Sequence, residues 1–155
     1  MRVTVKVGSA KRVLAFLIFS RNIYSSGLNP NSFLKDFLHG KMNIELVENP
    51  TQNKMHRLIQ EAQICLALAA NPSGVKLKLI NSLFNARYVI SDDTTLTGSG
   101  LDALVYKKDN VDLIALIDDL MQQSFTQNEI DLREKLLLEK YDNLKNAQQI
   151  INSFV

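Results

Sequence analysis

The alternation of apolar and polar residues first predicts a series of strands. Val3, Val5 and Val7 alternate with polar residues, which is the period of a strand with one face in water. The run from Ile64 to Ala69 is apolar throughout, which is typical of a strand buried on both faces. Further short strands are predicted at residues 23–24, 44–47, 88–90 and 103–106.

Between these strands, apolar residues recur at helical spacing. Val13, Leu14, Leu17 and Ile18 predict a helix capped by Ser9. Further helix starts are predicted at Asn29-Pro30, Thr51, Asn110 and Thr126, the last with Glu129 at capping-box spacing. In the helix predicted from Asn110, residues 111, 114, 117, 120 and 121 should face inward. Strands alternating with helices of about ten residues indicate parallel βαβ units. The sequence therefore predicts a three-layer α/β fold, with a mostly parallel sheet of five or six strands and extra C-terminal helices.

Length, charge and cysteine content narrow the class of protein. A chain of 155 residues with 46% hydrophobic residues fits one globular domain over residues 1–155. The 18 basic and 16 acidic residues are scattered, so no nucleic-acid partner is implied. A single cysteine, Cys65, predicts a reducing, cytoplasmic location. No apolar run reaches the roughly 18 residues of a membrane span, so none is expected.

Familiar catalytic arrangements are absent from the sequence. His39 and His56 have no cysteine or second histidine at metal-ligand spacing, so both are interpreted as surface or helix residues and no metal is expected. Asp92 and Asp93 follow a predicted strand, where loops of α/β folds often hold catalytic groups, although a simple acidic turn fits equally. The catalytic residues are therefore unknown at this level.

The stretch from Asn71 to Leu101 is the best candidate for a site. A small-residue turn precedes a predicted helix with Lys76 and Lys78, and a helix N-terminus with nearby lysines favours an anion such as phosphate. The polar stripe of that helix comprises Lys78, Asn81, Ser82 and Asn85. This stripe either lines a ligand cleft or is a solvated face, and the glycine turns are either ligand loops or plain connections.

The same stretch resembles the C-terminal, nucleotide-sugar-binding domain of bacterial glycosyltransferases with two Rossmann-like domains (GT-B type, group 1). The motifs that carry the resemblance are Gly74, the lysine-containing helix with Lys78, the strand Tyr88 to Ile90, and the loop from Gly98 to Leu101. The resemblance extends more loosely over most of the first 105 residues.

The resemblance implies a Rossmann-like fold and a nucleoside diphosphate sugar as the donor of a hexose, with no metal and no other cofactor. By the same resemblance the donor-binding residues are Ser73, Gly74, Lys78, Asn81, Thr97, Gly98, Ser99 and Gly100. Two glutamates that hold the donor in many members correspond to Ser73 and Asn81 here, so the charge that strengthens such hydrogen bonds is missing.

In that family the acceptor site lies on an N-terminal domain, which 155 residues leave no room for. The resemblance thus implies an isolated C-terminal domain, either an excised piece or a short relic protein, that is inactive without its N-terminal partner. The alternative is a non-enzymatic α/β interaction or nucleotide-binding module. The terminal stripe of Tyr141, Leu144, Ala147, Ile151 and Phe154 is expected to fold down onto the domain or to form a homodimer.

Overall fold

The structure is a computed structural model that describes residues 15–18, 23–27, 39, 44–69, 76–108 and 111–154, with the backbone alone for 15–18, 23–27, 44 and 45. The described strands are β1 (Ala15–Ile18), β2 (Ile23–Gly27), β3 (Ile44–Glu48), β4 (Ile64–Ala67), β5 (Tyr88–Ser91) and β6 (Tyr106–Lys107). The described helices are α1 (Gln52–Glu61), α2 (Leu77–Asn85), α3 (Asp93–Leu96), a 3-10 turn (Asp102–Leu104), α4 (Leu113–Gln122), α5 (Gln127–Tyr141) and α6 (Asn143–Asn152). The predicted α/β class is confirmed.

Several predicted features lie outside the described residues. They are the strand of Val3, Val5 and Val7, the helix after Asn29-Pro30, and the candidate site residues Ser73 and Gly74. The cap predicted at Asn110 is wrong, because Asp112 caps the helix that follows. The chain divides into two compact units, residues 1–123 and 124–155, which are described separately below. The single-domain assignment for residues 1–155 stays a prediction.

The strands of the first unit form one sheet in the order β3-β2-β1-β4-β5-β6. The pairs β2-β3, β4-β5 and β5-β6 are parallel, whereas β1 runs antiparallel to both β2 and β4. The sheet is therefore mixed, with a single reversed strand among those described.

The helix predicted from Val13, Leu14, Leu17 and Ile18 is wrong, because Ala15–Ile18 form β1. Ala15 pairs with Ser26 on one side and with Ala67 on the other, and Ile18 pairs with Ile23 and Ile64. A short apolar run fits both the helical and the strand period. Here two neighbouring strands supply the backbone hydrogen bonds, so the run is extended.

The core lies on β4 and β5. All four residues of each strand are buried, as predicted for strands covered on both faces. Leu79 and Leu83 of α2 are fully buried, and α2 contacts both strands. Thr51 caps α1 as predicted, because its side chain accepts a hydrogen bond from the Lys54 N–H.

The segment that follows the core strands departs from the prediction in two places. Most of the strand predicted at 103–106 is instead the 3-10 turn, and only Tyr106–Lys107 pairs with β5. Helix α4 begins at Leu113 behind the cap Asp112, so Val111 precedes it and is exposed, as is Ile114. Leu120 is its buried residue.

The second unit consists of α5 and α6. Thr126 and Glu129 form the predicted capping box, with the Thr126 N–H donating to Glu129 Oε2 at 2.7 Å. Asp142 ends α5 and caps α6. The predicted terminal stripe is thus interrupted, since Tyr141 belongs to α5 while the other stripe residues lie on α6 or just beyond it.

Candidate functional site

Three parallel strands end side by side in the first unit. Ala67, Ser91 and Lys107 are the last residues of β4, β5 and β6, and Ala67 pairs with Ser91, which pairs with Lys107. We call this row and the chain that follows each strand the carboxyl edge. Helix α2 connects two parallel neighbours, β4 and β5, so it starts at the carboxyl edge. Ligands of open α/β sheets collect at such edges.

Lys78 occupies the first turn of α2 and is half-buried. Burial lowers the pKa of its ammonium group from the ordinary 10.5, while the negative charge of Asp92 opposes this shift. Within the described part of the chain, Lys78 makes no side-chain hydrogen bond and no ion pair shorter than 4.0 Å. A partly desolvated cation without a contact partner favours the approach of an anion.

The start of α2 lacks the capping seen in α1. Its N-cap residue, Lys76, makes no side-chain capping hydrogen bond, whereas Thr51 and Asp92 each cap the helix that follows them. The N–H groups of Leu79 and Ile80 bond the Lys76 carbonyl, whereas those of Leu77 and Lys78 have no acceptor among the described residues. They add the positive end of the helix dipole to the charge of Lys78.

The acidic residues near this edge have structural roles. Asp92 is buried, and its Oδ1 accepts a hydrogen bond of 2.8 Å from the Thr95 N–H at the start of α3. Asp93 and Asp102 each form an ion pair of 2.9 Å with Lys107, whose pKa they raise. These contacts favour the acidic-turn interpretation of Asp92 and Asp93, and the role of Lys107 was not predicted.

Ser91 closes the row of strand ends. Its hydroxyl is buried and donates to the Ala67 carbonyl at 2.8 Å, so it joins β5 to β4. Because its hydrogen is committed to that bond, the geometry gives Ser91 a structural role at the edge.

The predicted loop residues Thr97 to Gly100 form a turn after α3. Gly98 and Gly100 have φ angles of 76° and 60°, in the left-handed region that favours glycine. The Thr97 hydroxyl donates to the Asp93 carbonyl at 3.0 Å, and the buried Ser99 hydroxyl donates to the Leu96 carbonyl at 2.8 Å. The Thr97 and Ser99 side chains thus bind the backbone of α3, and the positive φ angles are sufficient to explain both glycines.

Asn81 is exposed one turn beyond Lys78, on the same side of α2. Its backbone carbonyl and its Oδ1 both accept hydrogen bonds from Asn85 Nδ2, at 2.8 and 3.1 Å. Asn85 Oδ1 in turn bonds His56 Nε2 of α1, and His56 and His39 are both exposed, as predicted. The side-chain oxygen of Asn81 therefore already accepts a hydrogen bond, and its amide NH₂ is the group left to act as a donor.

Ser82 does not belong to the polar stripe in which it was predicted. It is buried, and its hydroxyl lies 3.2 Å from the Cys65 sulfur. Burial raises the pKa of the Cys65 thiol to about 11, so this cysteine is a poor nucleophile at neutral pH. The stripe that reaches solvent or partly reaches it comprises Lys78, Asn81 and Asn85.

The predicted site residues thus form two groups. Lys78 and Asn81 share one side of α2, and the Thr97 to Gly100 turn follows α3. Among the described residues, no hydrogen bond or ion pair joins the two groups. Lys78 interacts electrostatically with Asp92, the residue that caps α3. Of the two ends of α3, the start is therefore the one nearer to Lys78.

No group of three or more histidine, cysteine, aspartate or glutamate residues in the described part of the chain could hold a metal ion. None of the described helices has the length and apolar character to cross a membrane.

Comparison with known proteins adds no identification. No protein-family model matches the chain, and neither a curated protein nor a solved structure matches it.

Proposed function

We propose that this chain binds the diphosphate of a nucleotide-sugar at the carboxyl edge, as the donor-binding part of a hexose-transferring glycosyltransferase. In this proposal the first unit is a three-layer Rossmann-like domain, and the acceptor site lies on another domain. The observation that carries the proposal is Lys78, a half-buried cation without a contact partner among the described residues. It lies at this edge, in the first turn of a helix whose N-cap residue makes no side-chain capping hydrogen bond.

The physical argument is that a diphosphate satisfies several open groups together. Its oxygens accept hydrogen bonds from the N–H groups of Leu77 and Lys78 at the start of α2 and neutralise the Lys78 ammonium. The Asn81 NH₂, one turn further along the helix, is a donor for a ribose or sugar hydroxyl. We assign no catalytic residue to this chain, because the acidic side chains near the edge are held in caps and ion pairs.

The test is a calorimetric titration of the full chain with UDP, GDP, ADP and inorganic diphosphate, together with amide chemical shifts. We expect binding that shifts the resonances of Leu77 to Asn81. Lys78→Met removes a charged hydrogen bond, so it should weaken binding about 10- to 100-fold. The matched control is Arg87→Gln, which removes one positive charge just before β5 begins, at the opposite edge of the sheet.

The pH dependence supplies an independent check. Binding of an anion favours the charged form of Lys78, so the bound state has the higher pKa. Affinity should therefore fall as the pH rises through the pKa of Lys78 in the unbound protein, which lies below 10.5. Equal weakening by Lys78→Met and Arg87→Gln, or shifts confined to residues remote from α2, would refute the site.

The competing function is a non-enzymatic interaction module. The observation that favours it is α6, a helix on which none of the residues is buried. A chain that responds to none of the nucleotides but associates through α6 would belong to this class. Binding of inorganic diphosphate alone, without a preference for any nucleotide, would indicate an anion site without donor specificity.

A further inference from the structure

Helix α6 is well capped, and yet none of its residues is buried. Asp142 Oδ1 accepts hydrogen bonds from the N–H groups of Leu144 and Lys145, at 2.9 and 3.1 Å. Asn146 Nδ2 donates to the Lys140 carbonyl at 3.1 Å, which fixes the start of α6 on the end of α5. Isolated helices shorter than about 12–15 residues are marginal in water, and α6 has 10. It therefore needs an apolar surface to stabilise it.

The apolar residues of α6 form one line, which we call the α6 seam and define as Leu144, Ala147, Ile151 and Phe154. Leu144 and Phe154 are each 85% exposed and Ile151 is 57% exposed. The Phe154 N–H bonds the Ile151 carbonyl at 3.1 Å, so Phe154 continues the turn. The spacing of three, four and three residues is that of the a and d positions of a helix that pairs with another helix.

The positions beside the seam indicate what covers it. Gln148 and Ile150 flank the seam and carry no charge, and Ile150 is itself 60% exposed. A helix that lies on a membrane surface is rich in Lys and Arg on its polar face, whereas α6 contains one lysine. An uncharged seam with uncharged flanks fits a partner surface that is equally apolar and uncharged.

We propose that the α6 seam pairs with the seam of a second copy of this chain, in antiparallel orientation. In that arrangement Leu144 lies opposite Phe154 of the second copy, and Ala147 lies opposite Ile151 of the second copy. The one small residue of the seam, Ala147, then faces a large one, which avoids a gap at the interface. A parallel pair would set Ala147 against its own copy and leave a gap, and it would bring both α5 helices to the same end.

The size of the seam sets the strength of this pairing. Three large side chains and an alanine supply roughly 500 Å² per copy, since an aromatic residue buries about 150–250 Å². A standard stable interface buries roughly 800 Å² per partner. The pair should therefore be weak and reversible, and its population should depend on protein concentration.

Sedimentation velocity of the full chain over a range of concentrations tests the pairing. We expect a monomer–dimer equilibrium that Leu144→Gln weakens about tenfold or more. Ala147→Glu should weaken it as well, because it sets a charge in the seam on a residue that is exposed in the single chain. The matched control is Leu77→Gln, which changes a leucine that is 81% exposed on α2 and should leave the equilibrium unchanged.

A cross-linking experiment tests the orientation. Cys65 is buried, so a single introduced cysteine is the reactive thiol. Gln148→Cys lies beside the seam near its centre, where an antiparallel pair brings the two copies together, and a short bismaleimide should link them. Gln149→Cys lies on the outer side of the helix and should not be linked.

The outcomes separate the alternatives. A wild-type chain that stays monomeric at every concentration overturns the proposal. If that monomer binds vesicles of phosphatidylglycerol and phosphatidylcholine, the seam lies on lipid instead. A dimer that Leu144→Gln leaves intact overturns the role of the seam, and a dimer in which Gln148→Cys is not linked overturns the antiparallel orientation. Circular dichroism of each variant confirms that it is folded.

Discussion

The Cys65 thiol should make the protein less stable in alkali. Its sulfur is fully buried on β4 beside the Ser82 hydroxyl, and burial raises its pKa from 9.0 to about 11. In the unfolded chain the thiol loses its proton near pH 9.0, whereas in the folded protein it keeps the proton up to about pH 11. Between these values the unfolded state binds fewer protons, so stability falls as the pH rises.

The difference between the two pKa values gives the size of the effect. One pKa unit corresponds to about 1.4 kcal/mol, so this thiol should cost about 1 kcal/mol of stability at pH 10 and about 3 kcal/mol above pH 11. Below about pH 8 it should contribute no pH dependence. Lys78 acts in the opposite direction, because its pKa is lowered on folding and the unfolded state then binds more protons.

The assay isolates Cys65 from the other titrating groups. Urea denaturation of the wild type and of Cys65→Ser is followed by circular dichroism at pH 8 and at pH 10. The serine hydroxyl still reaches Ser82 but does not titrate in this range, and Lys78 titrates in both proteins. The wild type should therefore lose about 1 kcal/mol relative to Cys65→Ser between the two pH values. If the two stabilities change in parallel, the thiol is not buried in the folded state and the reasoning is refuted.

Two further predictions concern local structure. Thr126→Ala removes the capping box of α5 and should reduce the stability of the helix by about 0.5–2 kcal/mol. The loss is measured as faster amide exchange in residues 127–131. Thr126→Ser retains the cap and should be nearly neutral. An unchanged exchange rate in Thr126→Ala would contradict the capping box. Gly98→Ala should lower the free energy of unfolding by about 1–2 kcal/mol in denaturant titration, because alanine is strained at this positive φ. A steric clash is not the cause, since no atom of the described residues beyond the chain neighbours lies within 4 Å of the added Cβ. Gly98→Asn should cost less, because asparagine tolerates this conformation, and equal costs for the two would refute a conformational cause.

The candidate site could be predicted only in part. Lys78 was identified from its place in a lysine-containing helix after a small-residue turn, and the structure adds its burial and its lack of a contact partner in the described part of the chain. The role of Asp92 as a cap has a signal in the sequence. This aspartate lies three residues before Thr95, and it accepts a hydrogen bond from the Thr95 N–H. The ion pairs of Lys107 have no such signal, because they join residues brought together by strand pairing.

The sequence by itself determined the features that depend on neighbours along the chain. The buried strand β4 follows from an unbroken apolar run, and the caps at Thr51 and Thr126 follow from side chains placed before helical runs. These interactions span at most a few residues, so local spacing is sufficient to predict them.

Only the tertiary structure decided the features that depend on distant partners. Ala15–Ile18 became a strand because β2 and β4 pair with it on both sides, although its apolar spacing also fits a helix. Ser82 turned inward because Cys65, on a different element, supplies its hydrogen-bond partner. A short segment has too small an intrinsic preference to fix its own conformation, and burying a polar side chain costs less where it finds a hydrogen-bond partner, so both outcomes were set by contacts across the fold.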